Sequence, residues 1–173
     1  MIADFTVLIM IYSFAFFHKW KNKDKDIFWI RTITYIYLSF VICFTLMPVI
    51  FSIPNIFNCR HPNINLIPFV DVLKRRGDYV RQIILNIAMT VPFGFLLPMT
   101  TKRKISSVHV LFFTLILSLS IETLQFVLSS SRTPDITDVI TNFIGGAFGY
   151  GLYKIAKPFT TNFLEKAKLR NFH

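Results

Sequence analysis

The sequence predicts an all-α fold: a polytopic transmembrane helical bundle of about five spans, N-terminus outside and C-terminus inside. Three observations predict it. Hydrophobic residues make up 53% of the 173, and Phe alone occurs 20 times. Charged residues are only 16%, against about 25% in an ordinary soluble domain. About five stretches reach or approach the roughly 17–25 apolar residues a spanning helix needs. A water-soluble fold of this length cannot hide so much apolar surface, and a disordered chain would not carry it. Two cysteines exclude a small disulfide scaffold. Cys43 falls in a span and Cys59 outside, so they are not expected to pair.

The first stretch, about Ile2 to Phe17, is short and starts near Asp4. It has neither a basic leading region nor a small-residue cleavage site, so it reads as a span and not a signal peptide. The second runs from about Ile27 to Phe51, with Arg31 near one end and Pro48 near the other. The third covers about Val80 to Met99, where Pro92-Phe93-Gly94 predicts a kink. The fourth covers about Ser107 to Ser129. The fifth covers about Asp135 to Ile155, with Thr133 as a fair N-cap and Pro134 in the first turn. In it Gly145 and Gly149, and Ala147 and Gly151, are small residues four apart, which suits close helix contact.

The net charge of +10 is explained by topology. Lys19, Lys21, Lys23 and Lys25 separate spans one and two. Lys102, Arg103 and Lys104 separate spans three and four. Lys154, Lys157, Lys166, Lys168 and Arg170 close the chain. The opposite side carries Arg60, Lys74, Arg75, Arg76 and Arg132, with Arg31 and Arg81, near span ends, left out of the comparison. The richer side is cytoplasmic. No basic stretch is interleaved with a nucleic-acid motif, so nucleic acid is not an expected partner. After Pro158, Phe159 and Phe163 lie among lysines. That tail fits a basic amphipathic helix on the inner leaflet or a frayed end. The longest loop, about Ser52 to Tyr79, lies outside and reads as partly interfacial or re-entrant.

The informative residues are polar ones within apolar spans, since a charge at the bilayer centre costs at least about 2.5–3.5 kcal/mol. Span four carries Ser118, Ser120, Glu122 and Gln125, and Glu122 and Gln125 share a face. Span five carries Asp135, Asp138 and Asn142 on one stripe. Span three carries Asn86. At about 1.5 Å rise per residue, Asn86, Glu122 and Asn142 all lie roughly 9–10 Å below the outer surface. Gln125, Asp138, Asp135 and Arg132 form a ladder from there outward. This predicts an outward-opening polar pocket with Glu122 at its base. The plainer reading is interhelical hydrogen bonding; it fits the asparagines equally well, whereas an ionisable Glu122 is the costlier way to join helices. Asp135 suits a helix terminus better than a catalytic role. The four histidines are scattered, so no metal is expected. Neither a nucleophile elbow nor a phosphate-binding glycine loop is present, and no cofactor is expected.

Four motifs stand in order: Asn63-Ile64-Asn65-Leu66-Ile67-Pro68-Phe69; Leu85-Asn86 leading to Val91-Pro92-Phe93-Gly94-Phe95-Leu96-Leu97; Leu117-Ser118-Leu119-Ser120-Ile121-Glu122-Thr123-Leu124-Gln125-Phe126; and Asp135-Ile136-Thr137-Asp138-Val139-Ile140-Thr141-Asn142 with Gly145-Gly146. Together they resemble the VanZ-like family over about Asn65 to Tyr153. The resemblance implies a bacterial membrane protein of the cell envelope. It also implies lowered sensitivity to teicoplanin, a lipoglycopeptide that acts outside the membrane. It divides the chain into two N-terminal spans with the start of the outer loop (1–62), a VanZ-like core (63–155) and a basic cytoplasmic tail (156–173). The family has no reaction to transfer, so Asn86, Glu122, Gln125, Asp135, Asp138 and Asn142 match its motifs without assigned roles.

Two functions follow. The first is a non-enzymatic protein that binds an amphiphilic or lipid-linked ligand, such as a cell-wall precursor or the drug's lipid tail, in the outer pocket. The second is a membrane-embedded enzyme acting on a lipid head group, with Glu122 or Asp138 as general base. A transporter or proton relay fits less well, because the cytoplasmic halves of the spans lack matching polar residues.

Overall fold

The structure, a computed structural model, describes residues 2–22, 24–46, 64–75, 77–128 and 134–170. Helix α1 (Ile2–Ile11) continues through a π-helical stretch (Tyr12–Phe17) into His18–Trp20. Helix α2 is Lys25–Leu46. A short helix α3 (Val70–Lys74) precedes α4 (Tyr79–Leu96), which tightens into a 3₁₀ turn at Leu97–Thr100. Helices α5 (Ser107–Leu128) and α6 (Ile136–Arg170) complete the bundle. Hydrocarbon offers the backbone no water, so each spanning segment must satisfy its own amides, and a helix does this. Hydroxyls follow the same rule. Thr34, Ser39, Thr45 and Thr114 each bond the carbonyl four residues back.

Among the described residues, three helices are long and apolar enough to cross a membrane: Lys25–Thr45, Tyr79–Thr100 and Ser107–Val127. The first and fifth expected spans are helical but fall outside that set. The π-helical stretch interrupts the first, and α6 opens on Thr137, Asp138, Thr141 and Asn142. Helix α6 also runs past its expected end at Ile155 to Arg170. At 35 residues it is about 50 Å long, well beyond a hydrocarbon core of about 30 Å.

Side-chain contacts fix the directions. Tyr35 donates to the Leu8 carbonyl (2.7 Å), and Tyr12 and Thr32 share a hydrogen bond (2.8 Å), so α1 and α2 are antiparallel. Arg31 Nε donates to the Thr100 carbonyl (3.0 Å) and Tyr37 to that of Met89, so α2 and α4 are antiparallel. Helices α4 and α6 run parallel, and α5 runs against both. Each long helix therefore reverses its predecessor. One end of the bundle gathers Asn65, Tyr79 and Ile136. The other gathers Arg31, Lys102 and Tyr150, with an Asp24–Lys102 ion pair and Lys154 5.0 Å from the Tyr150 ring centroid.

The bundle is polar inside and apolar outside. Thr90, Thr114, Ser118, Thr141 and Asn142 are fully buried, while Phe14, Phe44 and Val108 are largely exposed. In water that inversion would be unstable. In lipid it is expected, because hydroxyls and amides join helices that gain nothing by hiding leucine.

The most extensive contact is α4 on α6, and glycines permit it. A side chain at Gly94 would strike the Gly146 backbone, one at Gly145 the Ile87 carbonyl and Thr90, and one at Gly149 the Val91 carbonyl. Gly151 faces open space, so of the expected small-residue pairs only Gly145 and Gly149 lie in this seam. Pro92 does not end α4, and Gly94 beside it serves helix approach.

Candidate functional site

The polar residues meet at the Asn65 end. The expected N-cap shifts by two residues. Asn65 forms a parallel bridge with Asp135: its N–H donates to the Pro134 carbonyl (3.0 Å), and its carbonyl accepts from Ile136 N–H (3.1 Å). This bridge holds Pro134 and Asp135 out of the helix, so Pro134 is not in the first turn and α6 starts at Ile136. Asp135 becomes the cap. Its Oδ1 accepts from Thr137 N–H at 2.7 Å, and its Oδ2 accepts from Asn65 Nδ2 at 2.8 Å. A carboxylate there also meets the positive end of the helix. The terminal role expected for Asp135 is thus its role in the structure. Thr133 and Arg132 lie outside the described residues.

Glu122 is buried on α5, one turn from Ser118. Its Oε2 accepts from Asp135 N–H at 3.4 Å, just ahead of α6. Asn86 on α4 donates to Asp138 Oδ1 at 2.7 Å and, more weakly, to Thr141 Oγ1 at 3.4 Å. The shorter distance makes the first of these the stronger bond. Deepest is Asn142, 1% exposed, whose Nδ2 donates to Ser118 Oγ at 3.0 Å. Its Oδ1 has no hydrogen-bond partner among the described residues. Of the three residues expected in one layer, Asn86 thus ties α4 to α6, while Glu122 ties α5 to the cap of α6 and Asn142 ties α6 back to α5.

Gln125 turns elsewhere. Its Nε2 donates to the Thr45 carbonyl at 3.1 Å, fastening α5 to α2. Gln125→Ala is therefore expected to cost about 0.5–1.5 kcal/mol of stability, the worth of one net hydrogen bond, without affecting function at the polar ladder. Thermal unfolding in detergent beside a functional assay checks both halves.

Sequence reasoning misses two participants, Thr137 and Thr141. Thr137 Oγ1 accepts from Phe69 N–H at 2.9 Å, and Thr141 lies beside Asn86. Their spacing of four, interleaved with Asp138 and Asn142, is the signal. Phe69 is held at φ 56°, a left-handed conformation that costs about 1–3 kcal/mol and persists only where surroundings enforce it. The Thr137 bond is one such restraint.

A small cleft opens here, lined by Phe69, Tyr79, Gln82, Asp135, Thr137 and Asp138 among others, with a volume of about 10 Å³. That is room for one water. Glu122, expected at the pocket base, does not line it. Among the described residues no group of three His, Cys, Asp or Glu is arranged to hold a metal ion.

The VanZ/LLP1 family matches residues 34–157. The match thus begins inside α2, earlier than the motifs, and so includes the helix joined to the core through Tyr37 and Thr45. Protein VanZ of Enterococcus faecium is 36% identical over 126 residues, 73% of this chain and 74% of that protein. No solved structure matches. With most of its length matched by the family and by such a relative, the chain belongs to the VanZ-like family.

Proposed function

We propose that this chain is a multi-pass protein of the bacterial cell membrane, with about five spans, N-terminus outside and C-terminus inside. In this reading it lowers sensitivity to teicoplanin-type lipoglycopeptides by binding an amphiphilic or lipid-linked ligand at the Asn65 end. One observation carries it: a ladder of amide and carboxylate groups shared by α4, α5 and α6, buried at Glu122 and Asn142 and half-buried at Asn86, Asp135 and Asp138, is capped by a loop segment held through a few hydrogen bonds. Alternating helix directions and the loop charges support the topology. The cleft is too small for such a ligand, so binding requires the Ile64–Phe69 segment to move away from α6.

The test is expression in a susceptible Gram-positive host. The intact chain is expected to raise the teicoplanin concentration that stops growth and to leave vancomycin unchanged. Glu122→Ala, expressed to the same level, returns the host to its starting sensitivity. Glu122→Gln keeps an acceptor for the Asp135 amide and retains protection in a binding role, whereas a general base loses it. No protection from the intact chain rejects the proposal.

A further inference from the structure

Three basic residues are explained neither by topology nor by the polar ladder. Lys74, Arg75 and Arg81 lie at the Asn65 end, opposite the end where loop charges gather. All three are exposed, and none forms a salt bridge among the described residues. Arg75 is held at φ 49°, ending α3 with its N–H turned back to the Asp71 and Val72 carbonyls. Glycine is the usual residue there, because a Cβ is strained at such φ.

Along the start of α4 runs a groove of about 480 Å³ lined by Gly77, Asp78, Tyr79, Val80, Arg81, Ile84 and Leu85, so that of the three cations Arg81 lines it directly. Its charge and apolarity are graded along α4. Arg81 lies in the first turn; Ile84 and Leu85 lie one turn on, about 5 Å further along the axis. Val80, Ile84 and Leu85 are all more than half exposed. Among the described residues Asp78 is the only carboxylate lining the groove, and Asp71 lines the other cleft. Cations at head-group level with aliphatic side chains one turn deeper complement an anionic amphiphile.

We propose that the α3–α4 rim binds the phosphate head group of an anionic phospholipid through Lys74, Arg75 and Arg81, with its acyl chain laid along Val80, Ile84 and Leu85. The site needs α4 to span the membrane, and it is independent of which face carries this end and of any drug phenotype.

The test uses the full chain in detergent micelles doped equally with phosphatidylglycerol and phosphatidylcholine, with retained lipid read by native mass spectrometry. The intact protein is expected to retain phosphatidylglycerol at least threefold over phosphatidylcholine. The triple variant K74Q/R75Q/R81Q loses that preference, and K19Q/K21Q/K25Q, with the same charge removed at the opposite end, keeps it. R75G, which relieves the backbone and cannot unfold α3 through strain, lowers the preference alone. Soluble glycerol phosphate does not displace the lipid if the chain is also bound. Equal retention of the two lipids by the intact protein overturns the proposal. So does an unchanged preference in the triple variant, an equal loss in the opposite-end control, or displacement by glycerol phosphate.

Discussion

Gly149→Ala is expected to destabilise the bundle strongly, while Gly151→Ala leaves it as stable as before or slightly more so. Both glycines are in α6, two residues apart. A Cβ at 149 enters the Val91 carbonyl and approaches Phe95 N; one at 151 meets nothing within 4 Å. The obstructing atoms at 149 are backbone and cannot rotate away, so α4 and α6 must separate. Overpacking a tight seam costs about 1–3 kcal/mol, occasionally more. Alanine in a helix gains up to about 1 kcal/mol over glycine. That gain is unopposed at 151 and overwhelmed at 149. For a chain of this size a net loss of about 2 kcal/mol lowers the unfolding temperature by roughly 4–8 °C. Circular dichroism melts of the two variants in the same detergent measure it. Coincident melts would mean that the seam is not close-packed as described.

The second large effect concerns the junction of Asn65 with Asp135. Asp135→Ala removes both an N-cap bond and a charge-assisted bond to Asn65. The first is worth about 0.5–2 kcal/mol and the second about 1.5–3 kcal/mol; sharing one carboxylate, they need not add. Asp135→Asn is the more informative change. Its Oδ1 still caps Thr137, but its amide faces the Asn65 amide, two donors with no acceptor. The exchanged pair Asn65→Asp with Asp135→Asn restores an acceptor opposite a donor. Hydrogen exchange at the Ile136 amide, which bonds the Asn65 carbonyl, is the readout. Exchange is expected to accelerate by roughly tenfold or more in the single variant and to return toward the original rate in the double. A double variant as fast as the single would show that the side-chain bond does not hold the loop.

Much of this arrangement was legible in the sequence. Helix α5 is described to within a residue of its expected bounds, because an apolar run between a lysine-rich turn and a serine-rich one leaves little choice. The stripe of Asp138 and Asn142 follows from helical period alone. Legibility ended where two elements must meet. Gln125 shares a face with Glu122 by spacing, yet its amide reaches α2, 80 residues away. Pro134 reads as a first-turn residue, yet the Asn65 bridge keeps it extended. Gly145, Gly149 and Gly151 look equivalent by spacing, and only contact with α4 separates them.

By itself the sequence determined that this protein is a helical bundle with membrane-like apolar helices, where α4 and α5 run, and which faces carry polar groups. These follow from local rules, since hydrocarbon demands long apolar helices and period fixes their faces. Only the tertiary structure decided that α4 lies parallel to α6, that Asn65 docks on the start of α6, and that the Phe69 amide bonds Thr137 beside the ladder. Those outcomes depend on how far each helix is rotated about its axis and which distant backbone comes within hydrogen-bond reach, and no local stretch of sequence encodes either.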